Sequence, residues 1–253
     1  MGVLSVIFGL ETWLPFFHGR QRRVIHTRRN LAIAVLNAVI LGLLFSRATS
    51  MIADWTASLS LGIVHRLNIN TLVDTLLAII LMDGWMYLWH RANHRIPFLW
   101  RFHRMHHSDP QMDVTTALRF HTGELVFSSL LRFAVVPLLG MNLWQLIFYE
   151  IILLPIIQFH HSNVNLPESW DRCLRTIIVT PNIHRVHHSR WQPETDSNYS
   201  SIFSFWDRVF GSFRLREDPH TLQYGLCTYD AQEWQTTWGM LKTPFLTTSL
   251  ITK

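Results

Sequence analysis

Histidine is the unusual residue of this 253-residue chain: there are 15, against 17 aspartates and glutamates together. Nine fall into a pattern. His90 and His94 are spaced HxxxH, His103, His106 and His107 form HxxHH, His184, His187 and His188 form a second HxxHH, and His161 stands apart. On a helix, residues three and four apart share a face, so the members of each cluster point the same way. Such clusters reach one metal ion, or neighbouring ions, without distorting the backbone. Neutral imidazole is a good ligand for iron, zinc, copper and nickel. A tetrahedral zinc takes about four ligands, so nine imidazoles exceed what one ion can use. Two ions with about four or five ligands each are the simpler account. Scattered surface histidines are the bland alternative, and the recurrence of three clusters argues against it.

Other polar residues could support such a site. Metal-bound imidazoles usually donate their second N–H to a carboxylate or carbonyl. Asp83 lies two helical turns before His90 and could fill that role; Glu150, eleven residues before His161, is a second candidate. Each could equally make a hydrogen bond between helices, which is the reading favoured for Asp74. Asp196, Asn198 and Asp207 could orient ligands or cap helices. The isolated His18, His26, His65 and His220 read as surface or locally bonded residues. The arginines inside the clusters read as partners of lipid headgroups or carboxylates, and Trp85, Trp89, Trp100 and Trp206 as an interfacial belt.

The elements that must position these residues are apolar. Hydrophobic residues make up 49% of the chain and charged ones only 15%, against roughly 25% charged in soluble domains. Four stretches suit lipid: about 31–55, 69–89, 125–140 and 142–159. Each meets or approaches the roughly 17–20 residues that a spanning helix needs. The opening stretch from Val3 to Phe17 carries Glu11 and no basic leader, so residues 1–30 read as a partial or interfacial helix followed by a basic loop. Residues 31–253 then form one membrane domain. Of 22 Lys and Arg, 19 lie before the first span, between the second and third, or after the fourth, the last being Lys253. Two helical hairpins put all three segments on one side, which the positive-inside rule makes cytoplasmic. Every histidine cluster falls on that side, in 90–124 and 160–253. The net charge of +5 thus points to a membrane surface rather than to nucleic acid. Cys173 and Cys227 stand alone, which gives neither a disulfide framework nor an iron–sulfur motif. With no GxGxxG and no CxxCH, electrons for any redox chemistry must come from outside.

The stretches HRANH (90–94), HRMHH (103–107), RFHTGE (119–124), QFHHSNVNLP (158–167), TPNIHRVHHS (180–189) and ETDSNYSSIFSFWDRVFGSF (194–213) resemble the fatty acid hydroxylase/sterol desaturase superfamily of integral-membrane di-iron enzymes. The resemblance covers roughly 83–213 and implies an all-α fold, a bundle of membrane helices under a cytoplasmic helical cap with the metals between them. It implies two Fe ions held by His90, His94, His103, His106, His107, His161, His184, His187 and His188, with zinc able to occupy the site in purified protein. His160 is a candidate tenth ligand, and His121 a candidate outer partner, although Thr122 replaces the family's usual proline. Asn198-Tyr199-Ser200 stands where the family often has Asn-Tyr-Gly, which leaves a tight turn there without its glycine.

The resemblance further implies a hydroxylase or desaturase that uses O2 to attack a C–H bond of a fatty-acyl, sterol or similar lipid. No side chain beyond the ligands needs to act as a separate acid or base. A cytochrome b5-like, ferredoxin or flavoprotein donor would dock on the basic face, which favours an acidic partner. Two rivals have their own signatures. A membrane zinc hydrolase would work without O2 or reductant. A metal carrier would place its ligands near the bilayer midplane, whereas these lie at one end of the spans.

Overall fold

A computed structural model describes residues 2–20, 22–67 and 69–246; Lys253 lies outside the described residues. Four helices are long and apolar enough to cross a membrane: α2 (Arg23–Ser58), α3 (Thr71–Arg95), α5 (Thr122–Leu139) and α6 (Leu143–His161). The shorter α1 (Gly2–Trp13) precedes them, α4 (Pro97–His107) lies between α3 and α5, and α7 (Glu168–Leu174) and α8 (Pro181–His187) follow. Among the described residues there is no strand.

The apolar stretches are legible as these helices, but two of the helices outrun them. α2 has 36 residues and rises about 54 Å at 1.5 Å per residue, well beyond a hydrocarbon core of about 30 Å. The surplus lies at its arginine-rich start. α3 continues past Trp89, so His90 and His94 sit on the last turns of an unbroken helix. It stops at Ile96, held extended (φ −95°, ψ 113°) before Pro97, because the proline ring excludes the helical conformation from its predecessor. Pro97 then opens α4, where its missing N–H costs nothing. The corner turns α4 beneath the end of α3 and buries His103, His106 and His107.

A core of Ala78, Ile79, Met82, Val135, Val136, Tyr149 and Leu153 joins α3, α5 and α6. Elsewhere the helices carry exposed large apolar residues, such as Val35, Leu43, Leu72, Leu138 and Ile151. Lipid contact accounts for such a surface; water would not tolerate it over this area. Twelve residues of α1 rise only about 18 Å, too short to span. Glu11 is buried and ties α1 to the site: its Oε2 accepts the N–H groups of Val114 (3.0 Å) and Asn163 (2.8 Å), while Oε1 pairs with Arg23.

The bundle closes at the end away from the histidines. Gly140 takes φ 90° between α5 and α6, and Gly62 takes φ 96° between α2 and α3. Their backbones touch: a Cβ on Gly62 would lie 2.2 Å from the Gly140 nitrogen, and one on Gly140 would lie 2.5 Å from the Leu61 carbonyl oxygen. Ile63 and Val64 donate to the carbonyls of Leu138 and Leu139 across this contact. Only glycine takes such φ values at little cost. Gly140→Ala should therefore destabilise the protein by about 1–3 kcal/mol or more, read as a lower thermal midpoint in detergent. Metal bound per folded chain should not change, since the histidines lie at the opposite end.

Candidate metal centre

The nine patterned histidines sort into two groups. His90, His94, His103, His107 and His187 form one; His106, His161, His184 and His188 form the other. Within each group one ring nitrogen per residue lies within 4.8 Å of all the rest. Eight of the nine are buried, with His90 half-buried. The sorting follows from helix geometry. Successive residues turn by about 100°, so His106 and His107 cannot face one point, nor can His187 and His188. In α4, the i, i+4 pair His103 and His107 goes to the first group and His106 to the second. At α8 the assignment inverts: His184 and His188 go to the second group and His187 to the first. The two HxxHH boxes thus face one another as if exchanged by a two-fold axis. His107 stacks on His188 with ring centroids 4.5 Å apart, and His106 lies 4.6 Å from His188. His90 and His94 complete the first group from α3, and His161 completes the second from the last residue of α6.

Outer hydrogen bonds turn four of the rings inward. The Nδ1–H of His90 donates to the Tyr199 carbonyl (2.8 Å), that of His187 to the Ser197 carbonyl (2.6 Å) and that of His161 to the Ile157 carbonyl (2.8 Å). His103 donates Nδ1–H to Glu124 at 2.8 Å, and Asp196 lies 3.5 Å from Nδ1 of His94. Fixing the proton on Nδ1 leaves the Nε2 lone pair facing the group. The Nε2 atoms of His106 and His161 are 3.0 Å apart, as are those of His161 and His184.

These nitrogens fit a cation and little else. Among the described residues, the Nε2 atoms of His90, His103, His107, His187 and His188 are buried with no hydrogen-bond partner. A buried unsatisfied polar atom costs about 1–3 kcal/mol. Five of them together approach the roughly 5–15 kcal/mol stability of a whole domain. Metal coordination would supply the partner that the protein does not. Burial, and then the neighbouring histidines, hold His106, His107, His184 and His188 well below the usual imidazole range, and burial brings His187 down to about 3. The rings are therefore neutral at pH 7, the form that binds metal.

Other sequence-level candidates are placed elsewhere. Asp83 does not meet His90; it accepts the backbone N–H groups of Ile202 and Phe203, both at 3.0 Å, and so fastens the cap to α3. Glu150 does not meet His161; it pairs with Arg132 at 2.6 Å. Asp207 accepts from the N–H groups of Tyr199 and Ser200, which holds the loop whose Tyr199 carbonyl orients His90. Asn198 bonds Ile183 and Arg214. It takes the left-handed conformation itself (φ 51°), so the turn needs no glycine at Ser200. His121 caps α5 by accepting from Gly123 N–H and lies in neither group. His160 also lies in neither, although its ring is 4.0 Å from that of His184. Arg104 and Arg185 reach no headgroup: both are buried and donate to main-chain carbonyls, of Thr243 and Val164 respectively. Glu124 is the residue that sequence reasoning misses. Its signal was an acidic group in the first turn of an apolar helix, beside the RFH motif.

Depressed imidazole pKa values make a signed prediction for the metal-free protein. Below about pH 6.5 unfolded imidazoles take up protons that the folded groups refuse, so stability falls with pH. The thermal midpoint of stripped protein should be lower at about pH 5.5 than at about pH 7.5; an equal or higher midpoint would contradict the burial of neutral rings.

The ornithine lipid hydroxylase OlsE of Rhizobium tropici is 30% identical over 153 residues, covering 60% of this chain and 45% of that protein. The alkylglycerol monooxygenase of Homo sapiens is 30% identical over 152 residues, 57% of this chain and 31% of that one. The cholesterol 25-hydroxylase of Homo sapiens is 25% identical over 146 residues, 57% of this chain and 52% of that one. The chain thus spans about half or less of the length of these relatives. No solved structure matches. The Fatty acid hydroxylase model matches residues 75–212, which include every one of the nine histidines. Over more than half its length, and through all of its candidate ligands, the chain belongs to the fatty acid hydroxylase family.

Proposed function

We propose that this protein is a membrane-bound di-iron oxygenase that hydroxylates a lipid-like substrate with O2 and external electrons. The observation that carries the reading is the division of nine buried imidazoles into groups of five and four. His90, His94, His103, His107 and His187 would hold one ion, and His106, His161, His184 and His188 the other. Bound iron supplies the one-electron chemistry with O2 that no side chain here can perform. Hydroxylation is preferred to desaturation because the relatives above are named hydroxylases and monooxygenases.

The protein's own part is positioning and exclusion of water. Glu124 accepts from both His103 and Asn93, which fixes one ring of the first group. The Tyr199 and Ser197 carbonyls fix two more. A cavity of about 370 Å³ opens onto His90, His103, His106, His161 and His184 and is otherwise walled largely by apolar residues such as Met86, Trp89, Leu125, Leu153 and Ile157. Its shape and lining suit a hydrophobic chain. The histidines lie at one end of α3 and α6, which disfavours a carrier with ligands at the midplane. The arginine distribution supports a multi-pass arrangement with 90–124 and 160–253 on the cytoplasmic side. There a cytochrome b5-like protein, a ferredoxin or a flavoprotein reductase would deliver electrons.

Protein purified without oxygen should contain two irons per chain and consume O2 only with a reductant and a lipid present. One zinc per chain with activity indifferent to O2 would overturn the proposal in favour of a hydrolase. Glu124→Gln should weaken metal retention or turnover by about 10–100-fold, as loss of an outer partner of a metal-bound histidine does. Metal content after dialysis against a chelator measures this directly, and unchanged retention and turnover would remove Glu124 from the site.

A further inference from the structure

The cavity has a second, polar end. Besides the histidines it is lined by Arg132 of α5 and Glu150 of α6, whose side chains meet at 2.6 Å. Arg132 lies eight residues from Glu124 and Glu150 eleven from His161, so their backbones are about 12–16 Å along the helices from those residues, while the guanidinium reaches Met86, one turn before His90. Both side chains keep partial exposure, 26% and 37%, and both also line a second apolar cavity between α2, α5 and α6. An ionisable pair at this depth is expensive and marks function more often than stability.

The guanidinium has donors to spare. Of five N–H groups, one is given to Glu150 and another reaches only the Met86 sulfur at 3.8 Å. Its Nε is buried and, among the described residues, has no partner. Around it the cavity offers Leu153 and Leu154, which cannot accept, and, one turn away on α5, the hydroxyls of Ser128 and Ser129, of which that of Ser129 donates to the Leu125 carbonyl. A ligand oxygen would fill this gap. Glu150 already balances the charge of Arg132, so an anionic ligand would leave a net charge in apolar surroundings. A hydroxyl does not: it accepts from Arg132 and can donate to Glu150.

We infer that the Arg132–Glu150 pair recognises a hydroxyl on the substrate and thereby sets which carbon reaches the histidines. The substrate class is then a neutral lipid-like alcohol whose hydroxyl lies on the order of 10 Å from the carbon presented. The inference rests on the oxygenase reading only for the fate of that carbon; binding itself needs neither O2 nor electrons.

The test is equilibrium binding of radiolabelled hexadecanol and of hexadecane, a matched chain lacking the hydroxyl, to the full metal-loaded chain in nanodiscs under argon. Wild-type protein should prefer the alcohol by about tenfold or more, because a site built to bond a hydroxyl rejects the analogue without one. The paired change Arg132→Met with Glu150→Met leaves no orphaned charge and should reduce the preference to about twofold or less. Arg132→Lys keeps the ion pair but loses the fork of donors; it should weaken alcohol binding and leave alkane binding unchanged. Equal affinities in wild type, or a preference that survives either change, would show that the pair is only a brace between α5 and α6. Absence of O2 consumption would leave these binding results standing, so the two readings fail separately.

Discussion

A helix cannot aim neighbouring residues at one point. Each residue turns by about 100°, and that angle divides His106 from His107 and His187 from His188 between two centres. Everything else in the fold serves to bring two such dipeptides face to face. The Ile96–Pro97 corner swings α4 under the end of α3. The segment after α6 then carries α8 back against it, where the rings of His107 and His188 stack. Burial follows from that closeness, and with it five inward Nε2 atoms, those of His90, His103, His107, His187 and His188, are left without a protein partner among the described residues. Cation binding would offset the cost of such an arrangement.

The surrounding polar residues hold the loops that hold the rings. Asp207 fixes the backbone of Tyr199 and Ser200, and the Tyr199 carbonyl in turn orients His90. Asp83 draws Ile202 and Phe203 onto α3. Glu11 binds the backbone of Val114, seven residues past His107, and of Asn163, two residues past His161. None of these carboxylates touches a candidate ligand, yet each anchors a segment that carries one or lies next to one. Glu124 hydrogen-bonds a ligand ring directly, and Asp196 lies 3.5 Å from another, that of His94. Below this layer the bundle turns more apolar, and there the Arg132–Glu150 ion pair faces the cavity.

Periodicity and composition were enough to read the four long apolar helices and to single out the nine histidines that the structure sorts into two groups. Both signals are local: an apolar run declares a span, and an HxxHH box declares a shared face. The partition into five and four was not legible, because it depends on how α4 and α8 approach one another. Asp83 and Glu150 show the same limit. Each sits at a helical spacing that would allow it to reach a histidine, but spacing along one helix does not exclude a nearer partner on another element. Backbone N–H groups of 202 and 203 claimed the first, and Arg132 the second. For Arg104 and Arg185, a charged type in a membrane-facing motif suggested headgroups; their long stems instead carry the guanidinium into a buried loop.

Locating the ions themselves is the most direct test. Anomalous scattering at the iron edge from crystals of protein loaded with iron without oxygen should show two peaks. One should be ringed by His90, His94, His103, His107 and His187, the other by His106, His161, His184 and His188. A single peak, or two peaks that share His106 and His107 on the same ion, would contradict the division of the site.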